Sequence, residues 1–153
     1  MISMAFWLMK SEPDVFSIDD LREKGTSGWD GVRNYQARNN LRAMRLGDRA
    51  FFYYSNANPA GIAGIVEIVR EAYPDPTQFD PRSDYYDPRS PRGTPRWDQV
   101  DVRFEMVFSR LITLEEIRNS PALRQMVLVK NTRLSVQPVT EEEWRILVEM
   151  AKK

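Results

Sequence analysis

At 153 residues, with 42% hydrophobic and 29% charged residues, the chain has the size and composition of one domain that can bury a hydrophobic core, and its 22 basic and 22 acidic residues leave no net charge. It contains neither cysteine nor histidine. That excludes disulfides, thiolate metal sites, cysteine nucleophiles and imidazole bases, and among metal-assisted reactions leaves carboxylate chemistry on a hard cation such as magnesium.

The stretch up to Met9 is apolar, but it carries Trp7, is closed by Lys10 and Glu12, and lacks a basic leader and a small-residue cleavage site. It reads as a strand, Ala5 to Lys10, stopped by Glu12-Pro13. No other stretch nears the roughly 20 apolar residues that cross a bilayer, so the expected location is the cytoplasm, or the nucleus where there is one. Ser17 with an acid three residues later, Asp20, predicts a capped helix over Ile18 to Lys24 that Gly25 ends. A second helix starts at Asn34, where Ala37, Leu41 and Met44 recur at helical spacing up to Gly47-Asp48, with Arg38, Arg42 and Arg45 as the neighbouring stripe.

Arg49 to Tyr54 and Ile62 to Val69 read as strands joined by the polar loop Ser55 to Gly61. Between Tyr73 and Trp97 lie six of the ten prolines, so a long irregular loop is expected there. Asp101 to Phe108 alternates, with Val102, Phe104, Met106 and Phe108 on one face. Thr113 to Glu116 and Thr140 to Glu143 carry the capping-box pattern, and the second opens a helix with Trp144, Leu147, Val148 and Ala151 inward. Val127 to Lys130 and Leu134 to Val136 are expected to return the chain to the sheet. The mixed order of strands and helices implies an α+β fold with a curled or closed sheet. No repeat or linker divides the chain, so it reads as a single domain, with a monomer the default.

The densest polar and aromatic block runs from Trp29 to Asn40 and joins an aromatic ring, amides able to read a base edge and arginines able to hold phosphate. Trp29 to Tyr54 holds five arginines against Asp30 and Asp48, a local surplus of three. Two readings stand side by side here: a nucleic-acid site, or a core tryptophan beside a solvated helix face. Gly61-Ile-Ala-Gly64 matches the GXXG of RNA-binding loops but lies in a strand pattern, where glycine serves close packing. Gly-rich phosphate loops and serine-nucleophile motifs are absent. A small-molecule or protein-interaction module in which the proline-rich loop from Tyr73 to Trp97 makes the contacts is a further candidate.

The words Trp7-Leu-Met-Lys-Ser-Glu-Pro13, Trp29-Asp-Gly-Val-Arg-Asn-Tyr-Gln-Ala-Arg-Asn39, Gly47-Asp48, Phe52-Tyr-Tyr-Ser-Asn56, Ala72-Tyr-Pro-Asp75 and Arg133-Leu-Ser-Val-Gln-Pro138, in this order, resemble the EVE domain family over nearly the whole chain. The resemblance implies a PUA-like small β-barrel of mixed strands with flanking helices, related to YTH domains. It also implies a non-catalytic reader of a modified base, notably modified cytosine in DNA and with RNA the other candidate partner, the base being flipped into a pocket. A carboxylate and magnesium enzyme acting on modified nucleic acid or nucleotide is the alternative. No cofactor, resident metal or membrane partner belongs to the reader picture.

Carried over by motif, Lys10, Ser11 and Glu12 border the pocket and Trp29 is its stacking wall. Arg33, Asn34, Tyr35 and Gln36 read or support the base edge, with Tyr54, Ser55 and Asn56 beside them. Arg38, Arg42 and Arg45 are expected to hold phosphates, and Arg133 and Ser135 to lie at the rim. The family usually carries His where this chain has Tyr54.

Overall fold

The computed structural model describes residues 4–153. In chain order its elements are β1 (Phe6–Ser11), α1 (Ile18–Lys24), β2 (Thr26–Gly28), α2 (Tyr35–Ala43), β3 (Arg49–Tyr54), β4 (Gly61–Pro74), β5 (Asp98–Thr113), α3 (Leu114–Arg118), α4 (Val127–Lys130), β6 (Val136–Val139) and α5 (Glu141–Ala151). Short 3-10 turns occupy Pro76–Phe79 and Pro121–Leu123.

Strands β1 and β3 are apolar at nearly every position because both of their faces are covered. Trp7, Met9, Ala50 and Phe52 point into one core with α1 and α2, through Ile18, Leu21, Ala37 and Leu41. Leu8, Phe51 and Tyr53 point into a second core with α3, α4 and α5, through Ile117, Leu128, Trp144 and Leu147. The six strands lie in the order β2-β5-β4-β3-β1-β6. Only the β1–β3 pair is parallel among the described residues.

The α+β class is as expected, but β2 and β6 are the two edges of an open sheet, so the strands do not close into a barrel. Two helical layers seal the sheet's faces, and closure is not needed to hide them. Among the described residues no helix is long and apolar enough to cross a membrane.

Local signals fare best where they need no partner. Ser17 and Asp20 form both bonds of the capping box, as do Thr140 and Glu143, and Gly25 ends α1 at φ 84. Thr113 caps α3 through Glu116 N, yet the Glu116 carboxylate turns to Arg110 and leaves the box half made.

Long-range pairing accounts for the differences. Strands β4 and β5 each run past their expected ends because they extend one another, down to Tyr73 opposite Gln99 and Pro74 opposite Asp98. The alternation read along β5 fails beyond Phe104. Val66 pairs with Phe104 but Ile65 with Met106, and the inserted residue swaps the faces, leaving Met106 and Val107 43% and 40% exposed. Val127 to Lys130 is the helix α4 and not a strand. Its Leu128 drops into the second core, and that burial overrides the β preference of the flanking valines.

The fold's tightest aromatic contact lies in the second core, where the fully buried Phe51 stacks on Trp144 at 3.9 Å between centroids. Phe51→Ala should therefore cost about 3–5 kcal/mol in a urea titration, the ordinary range for deleting a buried aromatic ring. A loss below about 1 kcal/mol would contradict this packing.

Candidate functional site

The parallel pairing of β1 and β3 brings their carboxyl ends side by side, with Ser11 opposite Tyr54. One further bond, Ser55 N to Ser11 O at 3.0 Å, sets Ser55 and Asn56 against Lys10, Ser11 and Glu12. Asn56 holds φ 50 and its amide donates to the Glu12 carboxylate. On the other side of β1, Lys10 N donates to Ser135 O at 2.9 Å and the Lys10 ammonium donates to Thr132 O, which brings up Thr132, Arg133 and Ser135. The segment after β2 forms the facing wall, anchored by Trp29 N to Val100 O at 2.8 Å. Between them lies a cleft of about 1020 Å³.

Trp29 lines this cleft and is also part of the first core. The residue is 7% exposed, and its ring packs edge-on against Phe52 at 5.4 Å and Phe16 at 6.4 Å. Trp29 is thus a core side chain with one border on an opening. Gln99 lies beneath Gly28, where a methyl group would stand 2.4 Å from its amide nitrogen, and its Nε2 donates to the Tyr73 hydroxyl at 2.5 Å. Neither the Trp29 indole N–H nor the Gln99 Oε1 has a hydrogen-bond partner among the described residues.

Asp75, fully buried, organises the remaining wall. Its carboxylate accepts from Gly31 N at 2.8 Å, Arg33 Nη1 at 3.0 Å, Thr77 N at 2.8 Å and Thr77 Oγ1 at 2.6 Å. Arg33 goes on to donate to Thr77 Oγ1 and, through Nε and Nη2, to Tyr85 O, with its guanidinium over the rings of Tyr85 and Trp97. The proline-rich loop is thereby fixed, and its Tyr85 reaches the cleft. Gly31 is required at this point. It has φ 81, and a methyl group would meet the Tyr85 ring at 2.7 Å.

The electrostatics follow from this partial enclosure. Burial lowers the Lys10 pKa. The Asp30 carboxyl is pushed up, first by burial and then by the charge of Asp75. Tyr85 is raised by burial and then by Asp30 and Glu12, whose charges it faces.

Of the residues expected at the site, Lys10, Ser11, Glu12, Trp29, Arg33, Ser55, Asn56, Arg133 and Ser135 line the cleft. The others stand outside its lining. Asn34 caps α2 by accepting from Ala37 N at 2.9 Å. Tyr35, 51% exposed, stacks on Trp97 at 4.8 Å, and Gln36 is exposed on the same first turn. The Tyr54 hydroxyl accepts from Ile18 N at 3.0 Å and so serves the start of α1. Arg38 donates to Arg96 O and Asn39, Arg42 is paired with Asp98 at 2.5 Å, and Arg45 sits in a separate notch beside Glu71. Arg38 and Arg42 brace the end of the loop because helix periodicity aims them there and away from the strand ends, while Arg45 lies beyond the helix. Sequence reasoning missed Lys24, Asp30, Tyr85, Gln99 and Thr132 as lining residues. Asp30 lay within the Trp29 block, but Tyr85 and Gln99 are placed only by the loop's return.

Residues 5–150 match the EVE domain family. Human thymocyte nuclear protein 1 is 47% identical over 166 residues, which cover 96% of this chain and 74% of that protein. The structure of human THYN1 protein in complex with 5-methylcytosine containing DNA superposes with a TM-score of 0.93 at 46% identity, covering 97% of this chain and 98% of that one. A YTH domain of Zygosaccharomyces rouxii MRB1 protein, in complex with N6-methyladenosine RNA, superposes with a TM-score of 0.53 at 16% identity over 100% and 92% of the chains, a likeness of fold alone.

The cleft's frame can be tested without any ligand. Asp75→Asn removes the charge that Arg33 is paired with and places an amide donor among donors, so it should destabilise by about 3 kcal/mol or more in chemical denaturation. Hydrogen exchange at the Gly31 and Thr77 amides should rise with it. Unchanged protection at both would mean that the carboxylate is not the organiser of this wall.

Proposed function

This chain belongs to the EVE domain family, and we propose that it is a single-domain, non-catalytic module that binds nucleic acid and holds a modified base, 5-methylcytosine in DNA, flipped into the cleft beside Trp29. What carries the reading is the cleft itself, about 1020 Å³ and bordered by an indole, an amide and hydroxyls, in a chain 46% identical to a protein solved with 5-methylcytosine DNA. The volume suits a nucleotide, since small-ligand pockets run from about 300 to 1,000 Å³.

Energetics are consistent with a binder. Extruding a base costs a few kcal/mol, and stacking on an aromatic ring returns about 1–3 kcal/mol. Trp29 is held by Phe16 and Phe52, so little ordering remains to be done when a base arrives. Phosphate contacts fall to the cations at the cleft and not to α2. Arg133 is exposed there and has no ion-pair partner among the described residues, and Lys24 lines the same opening. A magnesium-dependent reaction would want converging carboxylates. Among the described residues no three acidic side chains are grouped to hold a metal, and Glu12, one of the two acids of the cleft, is bonded to Asn56.

Fluorescence anisotropy with duplexes that differ only in one 5-methylcytosine should show tighter binding of the modified strand by the wild type. Equal affinity for the two would sink the reading. Trp29→Ala removes a core side chain as well as a wall and confounds folding with binding. Trp29→Phe keeps an aromatic surface and should weaken binding of the modified duplex several-fold with the melting transition retained. In a salt series, Arg133→Ala and Lys24→Ala should each lower the slope of log affinity against log salt by about 0.9, whereas Arg42→Ala, whose guanidinium is paired with Asp98, should not.

A further inference from the structure

The cleft holds two carboxylates, Glu12 and Asp30, and they differ in how they are engaged. Glu12 accepts from the Asn56 amide. The Asp30 carboxylate accepts from its own backbone N–H but from no other residue among those described, although cations stand near it. Arg33, the nearest in sequence, spends its donors on Asp75, Thr77, Val32 O and Tyr85 O. The Lys24 ammonium donates to Ser27 Oγ at 3.2 Å. Of the cleft's two carboxylates, Asp30 is therefore the one that no other side chain engages, and it borders the opening together with the free Gln99 Oε1.

Its position is also fixed. The preceding Trp29 N is bonded to Val100 O and the following Gly31 N to Asp75, so the backbone is pinned on both sides of Asp30. Gly31, at φ 81, has room for no side chain, because a methyl group there would meet the Tyr85 ring. Such pinning is what a readout group needs, because a hydrogen bond discriminates only if its acceptor cannot follow the wrong ligand. Burial and then the Asp75 charge push the carboxyl upward, outweighing the pull of the Arg33 and Lys24 charges and of its own backbone N–H.

An acceptor-only oxygen beside an aromatic ring selects a base that offers N–H at its edge. For cytosine that is the exocyclic amino group at N4, for which Asp and Glu are the matching side chains. In either protonation state a carboxyl keeps an oxygen that can accept from N4. We infer that Asp30 is the residue that reads the exocyclic amino group of the bound base, an assignment that rests on the base-binding reading given above. The base class is then one with an exocyclic amine, and a site built to bond N–H rejects an analogue without it far more strongly than it rejects a missing methyl.

The test compares DNA carrying 5-methylcytosine with DNA carrying 5-methylpyrimidin-2-one, the same ring without the amino group, for the wild type and Asp30→Ala. The difference in pairing between the two DNAs is common to both proteins and cancels in the cycle. Asp30 is exposed to the cleft, so the variant should melt as the wild type does. The wild-type preference for the amino-bearing base should exceed that of Asp30→Ala by about tenfold. A wild type that prefers modified over plain DNA, with an analogue ratio that Asp30→Ala leaves unchanged, overturns the Asp30 assignment alone. A wild type with no preference for the modified strand removes the base-binding reading and the assignment together.

Discussion

The Asp75 carboxylate, sealed from solvent and accepting four hydrogen bonds, is the constraint from which the candidate site is built. It ties the turn after Trp29 to the start of the proline-rich loop, more than forty residues away in sequence. A buried ion pair of this kind contributes little net stability when compared with apolar packing. Its value is in position: with Gly31, Arg33 and Thr77 on one carboxylate, the turn and the loop have a single relative placement, and Tyr85 is delivered to the cleft.

The rest of the molecule supplies a rigid base for that arrangement. The central strands β1 and β3, buried on both faces, are close-packed on either side and resist deformation. The cleft opens where its central parallel pair ends, at Ser11 and Ser55, so polar side chains are held by strand backbone on one wall and by the Asp75 cluster on the other. Trp29 bridges the two, its ring packed against Phe52 of β3.

The arginines divide by task. Arg33, Arg38 and Arg42 hold the loop against α2 through carbonyls and Asp98, while Arg133 stays exposed on the segment leading into β6. A surplus of positive charge in one stretch of sequence is therefore a poor guide to where an anion would bind. What matters is which guanidinium groups already have acceptors.

The amino-acid sequence by itself determined the elements whose signals are local: α1 between Ser17 and Gly25, α2 behind Asn34, β3 as an unbroken apolar run, and α5 behind its capping box. These depend on bonds within a few residues or on a periodicity that only one backbone geometry can bury. It also carried the motif words by which the family resemblance could be stated. Tertiary structure alone decided the open edges of the sheet, the face swap along β5, the helix at Val127–Lys130, and which polar residues meet at the cleft. Asn34, Tyr35 and Gln36 lie beside Arg33 in sequence but turn away with the first turn of α2, whereas Tyr85 and Gln99 arrive from a distant loop and strand. The physical reason is common to all of these: each depends on a hydrogen bond or burial partner supplied by a remote segment, and no pattern within one segment encodes where the other will lie.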